Sequence, residues 1–427
     1  MTRETDPEIA AQLMGALSSG RLDHLFTETN TRYYGRSGFE ALRFGSGLPR
    51  EDVWQLLSSI RRATGLLVFE SAWGDFQVRV TPTAELMRGL YEIDTAPSRS
   101  LFGRSRIPAD EEWIVMDRLL VEEAVLIALG KTNPGTPPAR LLTETREGVI
   151  RILFDDAKPA DLAQTIASRF YRAMRRLPDV YSDPLTPEYI ADTHRLLREG
   201  EPDAGIYRTT AEPDPATRPA GPGSAPERIA GEIEALCAYS RADDVPFIHP
   251  LIKTLAIGSW MRRVQPFGTY NYLVGRLVSM GFALRYGYQV TGIADPELRL
   301  QERPENPAGG DSTARFIAQL EVIRQARALA ESELQQRVER YREVTARFAS
   351  LGVNHRQAFV LDRALRDPEA RFNLRHHART RQLAYETARQ DFLKLIEVGL
   401  MEQRKRGRAF EFRLASEAGP RLDSLRA

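Results

Sequence analysis

The sequence contains a single cysteine, Cys237, among its 427 residues, and this excludes an intrachain disulfide. No apolar run approaches the roughly 18 residues that a transmembrane helix needs, so we expect no membrane partner. The N-terminal segment does not show the basic region followed by an apolar stretch that is typical of a secretory signal. These absences predict a globular, cytoplasmic protein.

The chain also has almost no net charge, since 59 Lys and Arg face 58 Asp and Glu. The charges are unevenly distributed, however. Residues 351–427 carry 16 basic and 10 acidic side chains, whereas the rest of the chain carries 43 and 48. A positive segment has the sign expected for a nucleic-acid partner, although solvated helix faces often carry a similar excess.

Residues 249–288 form the stretch on which the functional interpretation depends. Apolar residues at helical spacing predict a helix that begins at His249-Pro250, and Pro is tolerated in a first turn because its missing N–H needs no partner there. The run is broken at Pro266, and a second helix is predicted from Asn271. A loop that leads into a helix N-terminus favours anions, because free N–H groups and the helix dipole point at it.

The loop resembles the signature of the Fic family, His-Pro-Phe-x-Asp/Glu-Gly-Asn-Gly/Lys-Arg-x-x-Arg, which follows a His-Pro helix start at the same distance. Residues 265–276 read QPFGTYNYLVGR in that frame. The resemblance implies a mostly α fold, with a Fic-type helical core, small β-hairpins and a C-terminal winged-helix domain. Further matching segments lie at 90–94, 122–124, 185–194, 205–208 and 249–250.

Several chemical groups of the signature are missing from this chain. Gln265 stands where the family has its general base, and an amide has no titratable proton near neutral pH. Thr269 replaces the carboxylate that holds Mg²⁺, and a neutral hydroxyl is a poor sole anchor for that ion. Tyr270 and Tyr272 replace small residues that let phosphate approach the backbone, and Leu273 replaces an Arg that pairs with phosphate.

Asn271 and Arg276 are the polar signature members that remain. Together with Gly268 and Thr269, they are the candidates for binding a nucleotide or another anion. We therefore predict no catalytic residue, no metal and no cofactor. If a residual activity exists, the resemblance implies that it would use ATP and Mg²⁺. Whether Tyr270 and Tyr272 fill the former nucleotide site is the question that the sequence raises most directly.

The family's self-inhibitory motif is also degraded. Its Ser falls on Ile127 and its inhibitory Glu on Lys131, a cation that would repel Arg276 instead of pairing with it. The joint loss of catalytic and inhibitory groups favours inactivity more than either loss alone. His194 matches a histidine of the family, and we predict that it has a packing or capping role.

The predicted organisation has four parts. Residues 1–110 form a helical and hairpin region packed on the core, with a turn at Gly74-Asp75. Residues 111–312 form the Fic-like domain, 313–350 a connecting helix and 351–427 a winged helix-turn-helix. Two loops are expected: a proline-rich one over 209–228, where the family has a substrate-clamping hairpin, and an exposed one over 290–312.

Residues 351–415 predict three helices, the second of them over 372–383, followed by a hairpin. This order resembles the winged helix often found after Fic domains, whose third helix enters a major groove while the wing contacts the DNA backbone. The resulting candidates for DNA contact are Tyr385, Arg389, Gln390, Lys394, Arg404, Lys405, Arg406 and Arg408. The alternative is a winged helix that contacts only proteins. His376 and His377 predict no metal site, because adjacent helical residues point about 100° apart.

Three functions therefore remain open. The preferred one is a regulatory, DNA-binding protein with a catalytically silent Fic-like domain, a homodimer whose partner is duplex DNA, with a protein partner as a further option. The second is an enzyme that weakly transfers AMP or phosphate to a protein hydroxyl. The third is a nucleotide sensor that binds without turnover. Whether the protein is an enzyme stays open, with inactivity as the expectation.

Overall fold

The computed structural model describes residues 7–45, 47–95, 106–132, 137–180, 184–211, 223–241, 247–300, 310–406, 409–418 and 422. These residues are mostly helical and include two antiparallel two-stranded sheets. The predicted fold class, mostly α with small hairpins, is confirmed. Within the same ranges, no helix combines the length and the apolarity needed to cross a bilayer.

The chain forms two compact units, and each combines two separate stretches of sequence. The first unit comprises Met1–Arg99 and Arg172–Ala326, and the second comprises Ser100–Tyr171 and Arg327–Ala427. The four-part division made from the sequence stays a prediction. The sequence did not indicate, however, that residues 100–171 would belong to the same compact unit as the C-terminal segment.

The first unit contains the candidate loop. Its elements are α1 (Pro7–Ser18), α2 (Asp23–Thr31), α3 (Arg36–Ala41), α4 (Arg50–Thr64), β1 (Leu66–Glu70), β2 (Gln77–Val80), α5 (Ala84–Thr95), α9 (Pro187–Leu197), α10 (Ile229–Arg241), α11 (Pro250–Val264) and α12 (Asn271–Arg285). Most of the proline-rich segment 209–228 and part of 290–312 lie outside the described residues.

The β1–β2 hairpin forms where the sequence predicts it. Leu66 pairs with Val80, and the register shifts by one residue between Leu67 and Phe69. Gly74 adopts φ 69° in the turn, a conformation that glycine reaches without steric cost. The Phe69 ring lies 4.6 Å from that of Trp260, a fully buried residue of α11, so the hairpin packs on the helix that leads into the candidate loop.

The second unit contains α6 (Ala109–Thr132), α7 (Ala139–Phe154), α14 (His355–Arg366), α15 (Leu374–Arg381), α16 (Tyr385–Glu397), β3 (Met401–Arg406) and β4 (Ala409–Leu414). Two further helices, α8 (Leu162–Val180) and α13 (Thr313–Arg347), each contain a boundary between the units. The C-terminal helices begin at strong signals: Asn354 and Gln357 form a capping box for α14, and Asn373 caps α15.

Three helices and a hairpin thus follow one another at the C-terminus, as predicted. Phe372, between α14 and α15, forms a bridge with Phe412 of β4 through two N–H···O bonds of 2.9 Å. The ring of Phe392 in α16 stacks on Phe412 with centroids 4.5 Å apart. These residues belong to a core shared with Val344 and Phe348 at the end of α13 and the neighbouring turn.

One loop prediction is wrong. Residues 290–312 were expected to be exposed, but Thr291, Ile293, Ala294 and Asp295 are at most 4% exposed. This segment packs beside α12 because Arg276 binds its backbone carbonyls, as described below.

Candidate functional site

The loop between α11 and α12 is bracketed by two non-glycine residues in the left-handed region. Gln265 ends α11 at φ 49° and ψ 64°, and Tyr270 precedes α12 at φ 58° and ψ 15°. Each such conformation costs of order 1–3 kcal/mol, so it persists only where the surrounding structure enforces it. The loop therefore has a fixed shape that its own sequence does not favour.

Arg208 supplies much of this enforcement. Its side chain is 6% exposed, and Nε donates to the Gln265 carbonyl at 2.7 Å, while Nη2 donates to the carbonyl of Ser224. The Arg208 backbone N–H donates to the Pro266 carbonyl at 2.9 Å. Arg208 ends the 205–208 segment identified from the sequence, so that segment contacts the loop.

His194 of α9 packs against the same loop. Its ring stacks on Phe267 with centroids 4.1 Å apart and an interplanar angle of 12°. Nδ1 accepts the Gly205 N–H at 2.9 Å, and burial lowers the pKa of His194 to about 4. The imidazole is therefore neutral at pH 7 and has the packing role that was predicted for it.

Two other segments matched from the sequence also meet in the first unit. His249 caps α11 by accepting the Leu251 N–H on Nδ1, and its Nε2 lies 2.9 Å from Asp94. The other Asp94 oxygen accepts the Tyr288 hydroxyl at 2.6 Å. A histidine, a carboxylate and a tyrosine thus fix the start of α11 against the end of α5.

Asn271 uses its amide to close the loop. Its Oδ1 accepts the Phe267 N–H at 2.8 Å, and its Nδ2 donates to the Phe267 carbonyl at 2.7 Å. The residue is 2% exposed. A phosphate could bind this amide only after both bonds were broken, so Asn271 holds the loop together and is not poised to receive a ligand.

Arg276 is occupied in the same way. It is buried in α12, and its Nη2 donates to the Ala294 carbonyl at 2.8 Å and to the Thr291 carbonyl. Its Nε lies 3.9 Å from Asp295, which also accepts the Tyr272 hydroxyl at 2.6 Å. Burial raises the pKa of Asp295, but Arg276 and the Tyr272 hydroxyl outweigh burial and keep the pKa below its usual value.

Little space remains beside Arg276. The cavity lined by Arg276, Tyr272 and Asp295 offers about 20 Å³ to a water-sized sphere, which is room for one water molecule. Tyr272 lines this small cavity together with Asp295, which sequence reasoning missed. The apolar triplet that precedes Asp295 was the available signal for its burial. Tyr270 is half-buried, with the Arg198 guanidinium 5.9 Å from its ring.

The other anion candidates have less defined roles. Gly268 is half-buried, and a Cβ placed on it would meet no atom within 4 Å, so the loop does not require glycine there. The buried Thr269 hydroxyl has no hydrogen-bond partner among the described residues. Gln265 is 4% exposed, so the residue in the position of the general base is closed to an incoming protein hydroxyl.

The positions of the inhibitory motif lie in α6, in the other unit. Ile127 is fully buried. The side chain of Lys131 lies outside the described residues. The predicted loss of inhibition stays a prediction.

The third C-terminal helix, α16, has two distinct faces. Ala388, Asp391, Phe392 and Leu395 are buried. Asp391 accepts hydrogen bonds from Asn354 and Arg356 of the first C-terminal helix region and lies 3.2 Å from His377 of the second. These partners outweigh burial and hold the pKa of Asp391 below its usual value.

The opposite face of α16 carries the side chains predicted to contact DNA. Tyr385 is 56% exposed, and Arg389, Gln390 and Lys394 are exposed as well. Arg389 and Gln390 both donate to Glu386, at 3.0 and 2.7 Å, and Lys394 lies 3.1 Å from Glu397. In the hairpin, Arg404 and Lys405 are exposed; the Arg406 side chain and Arg408 lie outside the described residues.

One cluster of metal-ligating side chains occurs among the described residues. Ligand atoms of Asp110, Glu111 and His355 lie within 4.8 Å of one another. The Arg381 guanidinium already binds both carboxylates, at 2.8 Å from Asp110 and 2.5 Å from Glu111. A cation is thus present at the place a metal would take, and the cluster is an ion-pair network.

Comparison with known proteins gives a limited result. No protein-family model and no curated protein matches this chain. Among solved structures, the chain is similar to a Fic family protein from Desulfovibrio desulfuricans, with 16% identity over 80% of this chain and 99% of that one, and a TM-score of 0.48. It is also similar to Fic-1 from C. elegans, with 16% identity over 81% and 89% and a TM-score of 0.37. Similarities of this extent carry no conclusion about activity or ligands.

Proposed function

We propose that this protein is a DNA-binding regulator whose Fic-like domain is catalytically silent. The proposed DNA binding rests on the two faces of helix α16. Its inner face is fixed by Asp391 and Phe392, while its outer face presents Tyr385, Arg389 and Gln390 to solvent. A rigid helix with an exposed polar face, followed by a basic hairpin, suits major-groove reading by a winged helix.

The exposed side chains match the chemistry of base edges and phosphates. An arginine can donate two bonds to guanine O6 and N7, and a glutamine can pair with adenine N6 and N7. Lys394 and the hairpin residues Arg404 and Lys405 would neutralise phosphates. In the free protein, Arg389 and Lys394 are tied to Glu386 and Glu397 by exposed contacts. Such contacts are worth about 0–1 kcal/mol, so DNA can displace them.

The proposed lack of catalysis rests on two observations: the polar groups of the loop already have partners within the protein, and the cavity beside Arg276 is too small for a nucleotide. Asn271 and Arg276 bind backbone groups of the protein itself, and Gln265 is buried. A cavity with room for one water does not accept a nucleotide. Adenylyl transfer also needs a proton acceptor for the attacking hydroxyl, and an amide does not provide one.

The first experiment tests DNA binding by the full chain. Fluorescence anisotropy with a labelled mixed-sequence duplex should show binding, and Arg389→Ala should weaken it about tenfold, since a lost base or phosphate contact costs about 1–3 kcal/mol. Arg140→Ala is the matched control. Arg140 is an exposed helical arginine that pairs with Glu144 one turn away, as Arg389 pairs with Glu386. No binding, or equal loss in both variants, would contradict the proposal.

The second experiment tests catalytic silence. We expect no covalent label when the protein is incubated with α-labelled ATP, Mg²⁺ and candidate acceptor proteins, while an active Fic enzyme run in parallel labels its own target. Label transfer by the wild type that disappears in Gln265→Ala would overturn the proposed lack of catalysis and favour the enzyme hypothesis. DNA binding would then have to be judged separately.

A further inference from the structure

The second unit contains a cavity that the proposed function does not use. It is lined by residues of α14, α15, α6 and α13 and by Asp155, which follows α7, and it offers about 450 Å³ to a water-sized sphere. This volume is within the range of about 300–1,000 Å³ typical of small-molecule sites, and far above the 20 Å³ beside Arg276. The wall includes Arg337, Arg363, Arg371, Arg381, Phe359 and Phe372.

Two of these arginines have deeply buried acidic partners. Arg381 binds Asp110 at 2.8 Å, and Arg337 pairs with Glu111, which is fully buried. These ion pairs fix both guanidinium groups in the cavity wall. Arginine presents several N–H donors, so a paired guanidinium can still donate to a second anion.

The other two arginines have little or no acidic partner. Among the described residues, no carboxylate oxygen lies within 4.0 Å of the Arg363 guanidinium, and Arg371 has only Glu411, at 3.6 Å. One carboxylate, Asp155, lines the cavity, and His376 lies 2.9 Å from it. The mouth of the cavity therefore carries two cations whose charge is poorly compensated by the protein.

Aromatic rings hold the cationic groups and add a flat apolar surface. The Arg337 guanidinium lies 4.3 Å from the centre of the Phe359 ring and that of Arg381 lies 5.5 Å from it. The Arg363 guanidinium lies 5.6 Å from the Phe372 ring. Cation–π contacts of this kind orient a guanidinium without neutralising it.

We infer that this cavity binds a phosphorylated small molecule of about nucleotide size. A multivalent anion suits two poorly compensated arginines beside two fixed ones, because guanidinium groups bind phosphate oxygens through paired N–H donors. The rings of Phe359 and Phe372 would contact the less polar part of the ligand. The inference is independent of DNA binding and of the silent loop, since every lining residue belongs to the second unit.

The test is isothermal titration calorimetry on the full chain in EDTA, with pyrophosphate and ADP as anionic probes and adenosine as the neutral comparison. We expect at least one anion to bind and adenosine to give no heat. The double variant Arg363→Ala/Arg371→Ala should bind about tenfold more weakly or worse, since hydrogen bonds to charged groups are lost. Both side chains are exposed, so the fold should survive, and circular dichroism checks this.

The matched control is Arg375→Ala/Arg140→Ala, which removes the same charge from exposed helical positions outside the cavity wall. It should bind within about twofold of the wild type, because neither side chain lines the cavity and exposed charges outside it are screened by solvent and salt. Absence of heat with both anions would overturn the inference. So would equal affinities in the two double variants, which would place the bound anion elsewhere. Weakened duplex binding by Arg363→Ala/Arg371→Ala, with no small-anion heat in the wild type, would instead assign these arginines to DNA phosphate and also overturn it.

Discussion

At the scale of single residues, His194 shows how a histidine at a motif-like position can have a packing role. Its ring is fully buried against Phe267, and Nδ1 accepts the Gly205 N–H. Gly205 has φ 78°, and a Cβ on it would lie 2.6 Å from Arg195 Nε, so glycine is required at the residue that donates this bond. Charging the imidazole would remove the acceptor and place an ion in the core.

The stability of the protein should therefore decrease in acid through His194. Its pKa is about 6.5 in the unfolded chain and about 4 when folded, so the unfolded state binds more protons between these values. Stability is fully present above about pH 6.5 and is lost as the pH falls towards 4, by about 2 kcal/mol between pH 7 and pH 5 for this group.

His194→Asn makes this measurable. We expect the variant to be less stable than the wild type at pH 7, because the ring stacking is lost, but the difference should shrink by about 2 kcal/mol at pH 5. Urea unfolding at the two pH values gives both differences. His24→Asn, at an exposed position of α2, is the matched control for the removal of an imidazole, and the effect of His194→Asn is compared with it at both pH values. A constant difference for His194→Asn would show that this histidine does not resist protonation.

Asn271 and Arg276 show what residue identity alone could not tell. Both coincide with polar positions of the signature that the loop resembles, and the sequence therefore identified them as anion candidates. Their hydrogen bonds instead go to Phe267, Thr291 and Ala294. The deciding partners are backbone carbonyls, which every residue possesses, so no sequence pattern marks them.

At the scale of elements, the sequence predicted best where a local signal fixes the outcome. α11 begins at His249-Pro250, the hairpin turns at Gly74, and α14 begins at a capping box, all from signals within a few residues. The boundaries of α15 were less accurate: the prediction was 372–383, and the helix is Leu374–Arg381. Its N-cap is Asn373, and Phe372 before it pairs with Phe412, a residue forty positions later.

The prediction for segment 290–312 was wrong for a related reason. Its Pro, Gly and charged residues are typical of an exposed loop. Its buried part depends on Arg276 from α12 and on Tyr272, which binds Asp295. Composition cannot show that a distant arginine and a tyrosine will satisfy the polar groups of a loop. The small size of the cavity beside Arg276 therefore became visible only in the structure.

At the scale of the whole molecule, the two compact units could not be read from the order of the segments. Residues 122–124 match the Fic family by sequence and were assigned to the predicted Fic-like domain over 111–312, yet residues 100–171 join the unit that contains α14–α16. The contacts responsible include Arg381 to Asp110 and Arg379 to Asp156, pairs separated by more than two hundred residues. Long-range ion pairs of this kind have no periodic signal in a sequence.

The distribution of charge over the whole chain gives the last prediction. The chain as a whole is close to neutral, and residues 1–350 carry more acidic than basic groups, so the proposed binding to DNA requires the local positive field of the C-terminal segment. Arg404→Ala and Arg140→Ala change the net charge equally, but only the first removes a hairpin cation. We expect the slope of log K against log salt concentration to become shallower by about one in Arg404→Ala and to stay unchanged in Arg140→Ala. Anisotropy titrations at several salt concentrations measure both slopes. Equal slopes in the two variants would mean that DNA responds to total charge, and the hairpin would lose its assigned role.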